Sequence, residues 1–164
     1  MRVQPSKPVE DVALRLLTRR EHAAGELQQK LISRGYTLTE VVTTLQQLQQ
    51  QGLLSDLRFT EAYVYYRVQR GDGPLKLQRE LKQRGVSADI VGPQLDQVDW
   101  PTVLRQYWLR RFSTPASNYR EWARQARHLQ SRGFSSEQIR RHMPAVVTPG
   151  VAEGAEETID HEDR

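Results

Sequence analysis

Two stretches of this chain carry cations at matched positions: Lys76, Arg79 and Lys82 in "PLKLQRELKQ", and Arg120, Arg124 and Arg127 in "YREWARQARHLQS". Lysine and arginine on one helix face present N–H donors that pair with phosphates or with an acidic protein surface. Counted at about 100° per residue from Leu81, Lys76 falls at about 220°, Arg79 at about 160° and Lys82 at about 100°, away from a core side holding Leu77. Counted from Leu129, Arg124 falls at about 220°, Arg127 at about 160° and Arg120 at about 180°. Lys76 is therefore the counterpart of Arg124, and Arg79 of Arg127, while an earlier stretch holds Glu26 and Gln29 in those places. Helix charges ordinarily just face water. Their matched placement in two stretches predicts a shared surface for a negatively charged partner, with Lys82 only partly on it.

Catalytic chemistry finds little support. His22, His128, His142 and His161 are scattered without metal-site spacing, and there is no cysteine to supply a thiolate. "GDGP" at 71–74 lacks the Gly-Lys-Ser/Thr ending of a phosphate loop and reads as a turn before a helix. No cofactor and no enzymatic activity are expected. Tyr65 falls off a predicted core stripe of Phe59, Ala62, Tyr63 and Tyr66, where it is free to stack on a partner or a base. Trp108 is expected in the core and Trp100 at a junction between modules, while the side taken by Trp122 stays open.

The overall balance agrees with a polyanion partner. The 164 residues carry 24 Lys and Arg against 20 Asp and Glu, and residues 151–164 take six of the acids and one arginine, leaving 23 basic against 14 acidic residues in 1–150. A body this basic favours nucleic acid over a neutral small molecule. With 27% charged residues and a mean hydropathy of −0.71, the chain shows no span of apolar residues long enough for a membrane and no secretory leader, so a cytoplasmic protein is expected.

The elements that must hold these cations are written as a repeat. "LISRGYTLTEV" at 31–41, "LKQRGVSADIV" at 81–91 and "LQSRGFSSEQI" at 129–139 share Leu-x-x-Arg-Gly-apolar. Each reads as one helix ending at a glycine and the next beginning two residues later. Leu31, Leu81 and Leu129 pair with Tyr36, Val86 and Phe134 across the turn, as a Schellman end requires. Thr37, Ser87 and Ser135 follow as N-caps, with Glu40 and Gln138 completing capping boxes in the first and third copies. Arg34, Arg84 and Arg132 sit at the last helical position, where a cation complements the helix dipole and its stem covers the turn.

A further helix precedes each pair, at 9–17, 55–70 and 101–112. Thr18 with Glu21 reads as another capping box; Gly73-Pro74 and Thr114-Pro115 read as helix openings. With no strand-like alternation, the predicted fold is all-α, three tandem three-helix repeats in an elongated, curved solenoid-like array. The expected boundaries are a flexible segment at 1–8, repeats at 9–52, 53–98 and 99–143, and a disordered acidic tail at 144–164.

Taken in order, "LRLLTRREHAAGELQQKLISRG", "GLLSDLRFTEAYVYYR", "GDGPLKLQRELKQRGV" and "RQARHLQSRGFSSEQI" resemble the RecX family, bacterial regulators of the RecA recombinase. The resemblance covers about residues 9–143. It implies a monomer that lies in the groove of RecA–single-stranded-DNA filaments and inhibits ATP hydrolysis, strand exchange and co-protease activity, modulating recombination, repair and the SOS response. Single-stranded DNA is an implied partner, with double-stranded DNA as a further candidate. The alternative is a sequence-independent DNA-binding protein that affects recombination indirectly. A transcription regulator ranks last, because the helices after Gly35 and Gly85 open "TLTEVVTT" and "SADIVGPQ", poor in base-reading groups.

Overall fold

A computed structural model describes residues 6–147. Among them lie nine helices and no strand: α1 Val9–Leu17, α2 Ala24–Ser33, α3 Leu38–Gln50, α4 Asp56–Gln69, α5 Pro74–Gln83, α6 Ala88–Asp96, α7 Trp100–Phe112, α8 Tyr119–Ser131 and α9 Ser136–His142. They form three tandem three-helix modules, each with its own core. In the first, Leu27, Leu31, Val41, Leu45 and Leu48 pack together; in the second, Phe59, Leu77, Leu81 and Val91; in the third, Leu104, Trp108, Leu129 and Ile139. The leucine that opens each repeat is fully buried in all three modules. Such burial stabilises by about 1.5–3 kcal/mol per side chain.

The repeated turn is a Schellman end in every copy. Val86 N–H donates to the Leu81 carbonyl at 3.1 Å and Gly85 N–H to that of Lys82 at 3.0 Å; Phe134 and Gly133 do the same at 3.2 and 2.9 Å. Gly85 and Gly133 adopt φ of 81° and 99°, a region L side chains avoid, which is why the motif keeps a glycine there. The next helices then start from Thr37 and Ser135 with complete capping boxes, whereas Ser87 makes no side-chain cap, consistent with Ile90 in place of an acid or amide.

Several helix starts differ from the sequence reading. Thr18 and Glu21 form no capping box: Thr18 caps the end of α1, and α2 begins later, from Ala23. The acceptor that α2 needs comes from the neighbouring module, where Asp56 Oδ1 takes the Ala24 N–H at 2.7 Å. Helix α8 opens not at Thr114-Pro115 but after Asn118, whose side chain accepts from Glu121 N–H at 2.9 Å. Tyr66 leaves the predicted α4 stripe and is 67% exposed, while Thr60 and Val64 are buried instead. Both ends of the described residues are hydrogen-bonded to the modules. The Lys7 backbone carbonyl accepts a hydrogen bond from the Tyr36 hydroxyl at 2.8 Å, and the Trp122 indole N–H donates to the Pro144 carbonyl at 3.1 Å. Val147 N–H then meets the Ala116 carbonyl at 2.9 Å, so residues 144–147 lie against the start of α8. The acidic stretch at 151–164 falls outside the described residues.

Neighbouring modules meet in the same way twice. The Gly85 turn of the second module rests on the first turn of α2, where a Cβ on Gly25 would stand 2.6 Å from the Arg84 carbonyl oxygen. The Gly133 turn of the third rests on the first turn of α5, where a Cβ on Gly73 would stand 2.5 Å from the Gly133 backbone. Trp100 packs against both the second and third cores, at the expected junction.

Candidate functional site

Helix α8 is amphipathic with a sharp division. Leu129 and Ala126 face the third core, and the opposite face holds Arg120, Arg124 and Arg127, all exposed. These three arginines line one open recess of about 610 Å³ with Asn118 and Glu121. Ser117 fixes the acid: its hydroxyl donates to Glu121 Oε2 at 2.9 Å, and its backbone N–H to the same oxygen at 3.0 Å. These bonds hold the Glu121 carboxyl below its ordinary range, the backbone bond most, with the charge of Arg124 a minor addition. Arg124 reaches Glu121 only loosely, at 3.5 Å with 72% of its side chain in water. Arg120 and Arg127 make no ion pair among the described residues. The face thus offers three solvated guanidiniums against one already bonded carboxylate, an arrangement suited to phosphates or to an acidic protein surface.

The cations of α5 divide. Arg79 is exposed and makes no ion pair among the described residues. Lys82 is exposed but lines a separate recess of about 360 Å³ with Gln78 and Val91. Lys76 departs from the outward ridge expected of it. Its ammonium lies 2.8 Å from Asp72 Oδ1, and its Cβ faces the Gly133 turn of the next module. The reason is positional: the turn of a following module covers the first turn of α5, whereas no following turn among the described residues covers the same place on α8. Helical register alone makes Lys76 and Arg124 equivalent, and the neighbour makes them different.

Asp72 organises that junction, and sequence reasoning missed it. Its side chain is 1% exposed and is ringed by Lys76, by Arg132 Nη2 at 2.9 Å and by Arg67 Nη1 at 3.2 Å. Arg132 also donates to the Arg70 carbonyl at 2.6 Å and lies 5.0 Å from the centre of the Tyr107 ring. Arg67 bonds Glu80 and the Tyr63 hydroxyl as well. The equivalent place in the first module holds His22, likewise buried, whose ring meets Lys30 Nζ at 3.1 Å. Burial is the largest influence holding His22 below its usual value, and the charges of Arg20 and Lys30 add to it. A polar residue directly ahead of the second helix of two modules was the available signal.

Profile models of the family decide the kinship. The first, second and third three-helix domains of RecX match residues 11–48, 55–92 and 102–143. The chain belongs to the RecX family. The Regulatory protein RecX of Halorhodospira halophila is 45% identical over 139 residues, covering 82% of this chain and 86% of that one. Its namesake from Chromohalobacter salexigens is 37% identical, covering 87% of this chain and 95% of that one. Among solved structures, a regulatory protein RecX superposes with a TM-score of 0.67 at 20% identity, over 80% of this chain and 68% of the other. RecX from Lactobacillus salivarius gives 0.65 at 22%, over 81% and 90%. At those identities the superpositions speak to the fold. The family name carries a regulatory role.

Proposed function

We propose that this chain regulates RecA by binding RecA–single-stranded-DNA filaments, with Arg120, Arg124 and Arg127 on α8 as the principal contacts and Arg79 and Lys82 on α5 as lesser ones. Bound there, it inhibits ATP hydrolysis, strand exchange and co-protease activity, and thereby moderates recombination, DNA repair and the SOS response. Lys76 contributes indirectly, by holding the module junction. The observation that carries this reading is the open arginine recess of α8, uncovered where its α5 counterpart is covered.

No catalytic step is required of such a protein. A molecule laid across successive filament subunits restrains their movement by occupying them, so shape and charge suffice. Three phosphate-directed arginines also make the affinity salt-dependent. The test compares affinity for bare single-stranded DNA with affinity for RecA-coated DNA at physiological salt. Tighter binding to the coated form supports the reading; equal binding would favour a sequence-independent DNA-binding protein acting indirectly.

A further inference from the structure

The two modules ahead of the α8 face carry a further recess, of different character. Where α4 passes the turn after α1, Phe59, Ala62, Tyr63 and Tyr66 form an apolar floor about 490 Å³ in extent, rimmed by Arg19 and Arg84. Tyr63 is fixed in place: its hydroxyl bonds Glu80 and Arg67, and the Arg84 guanidinium lies 4.9 Å from its ring centre. Tyr66 is not. It is 67% exposed beside Tyr65 at 63%, and the two rings meet edge-on at 5.6 Å, leaving both largely in water.

The charges at this rim are selective. Glu21 is occupied by Arg58 Nε at 2.8 Å, and Arg20 is occupied by Glu26 at 2.5 Å. Arg19 and Arg84 remain without a carboxylate partner among the described residues. A cationic rim would also suit an acidic peptide, yet a peptide of carboxylates has no use for a broad exposed aromatic ring. A nucleobase does, because stacking on Tyr and pairing of its flanking phosphates with Arg are served together. Bases in a duplex are already stacked on one another, so the ring selects unpaired strands.

We propose that this recess is a base-stacking subsite for single-stranded nucleic acid, separate from the α8 face, with Tyr66 as the platform and Arg19 and Arg84 on the adjoining phosphates. The inference rests on the reading of this chain as one that meets single-stranded DNA on filaments. The subsite gives it a grip on stretches that the filament leaves bare.

The experiment measures fluorescence anisotropy with a labelled oligothymidine and with an abasic deoxyribose-phosphate strand of equal length, at the same series of salt concentrations for both. Tyr66→Ala should weaken oligothymidine binding by roughly 10-fold and leave the abasic strand within about 2-fold, while Tyr66→Phe binds both as the parent does. Arg19→Ala should weaken both strands and flatten the salt dependence. Parent-like oligothymidine binding by Tyr66→Ala, or equal weakening on both strands, overturns the subsite. So does a Tyr66→Ala variant weakened only toward RecA-coated DNA, which would make the recess a protein contact. The double variant Arg124→Glu with Arg127→Glu, measured on coated DNA, tests the α8 face on its own, so failure of either site is read separately.

Discussion

The guanidinium of Arg132, just past the end of α8, lies 2.9 Å from the carboxylate of Asp72, just ahead of α5. Two modules are thereby joined through one buried acid that also meets Lys76 and Arg67. Removing a buried partner leaves its counter-charges without compensation, which costs far more than the net value of the pair. Asp72→Ala should therefore lower the unfolding free energy by about 3 kcal/mol, at the lower end of the usual range because the three cations keep part of their surface in water. Urea denaturation at pH 7 measures it, and a change below about 0.5 kcal/mol would show the cluster to be incidental.

Backbone contact supplies the second half of the junction. Gly73 N–H donates to the Arg132 carbonyl at 2.7 Å, and a Cβ on Gly73 would meet backbone that has no side chain to swing aside. Gly73→Ala should cost about 1–3 kcal/mol by forced separation of the modules. Its φ of −90° is open to alanine, so backbone strain would not explain a loss. Unchanged thermal unfolding of this variant would mean that the modules are not in tight register.

Acid should loosen the first and third modules together, because each holds a histidine shifted below its ordinary value. His22 has a folded value lowered by burial, so the unfolded chain takes up its proton first; its stabilising contribution is present above pH 6.5 and shrinks as pH falls below it. His128 shifts the same way, through burial and then Arg111 and Arg132. Burial alone would raise the Glu26 carboxyl, but hydrogen bonds and charges from Arg20 and Lys30 together outweigh it and hold it at about 2. Its contribution is full above 4.5 and is lost as pH falls toward 2. Urea midpoints should thus decline from pH 6.5 downward, and His22→Gln should flatten part of the decline nearest pH 6.5. A slope identical to the parent's would remove His22 from the account.

Local hydrogen bonding is what made much of the fold legible in the sequence. Thr37 with Glu40 and Ser135 with Gln138 lie three residues apart, and each pair forms the capping box its spacing predicts. The Leu-x-x-Arg-Gly-apolar turns are equally self-contained, since leucine, glycine and apolar residue complete one motif. Contacts between modules were not legible. The Ala24 amide finds its acceptor in Asp56 of the next module, so Thr18 and Glu21 are not needed for capping. Lys76 matches Arg124 on a helical wheel but lies under the Gly133 turn, and Tyr66 has the spacing of a core residue while the α4 core side turns toward Thr60 and Val64. For the candidate site, register found Arg120, Arg124 and Arg127 together and could not tell which of its two copies a neighbour would cover.

The most direct measurement replaces Arg120, Arg124 and Arg127 together by glutamate and follows RecA ATP hydrolysis on single-stranded DNA, with far-ultraviolet circular dichroism as the check on folding. All three side chains are exposed, so helicity should be unchanged. The account predicts that the variant no longer inhibits hydrolysis at concentrations where the parent does. Full inhibition by a variant of intact helicity would contradict it.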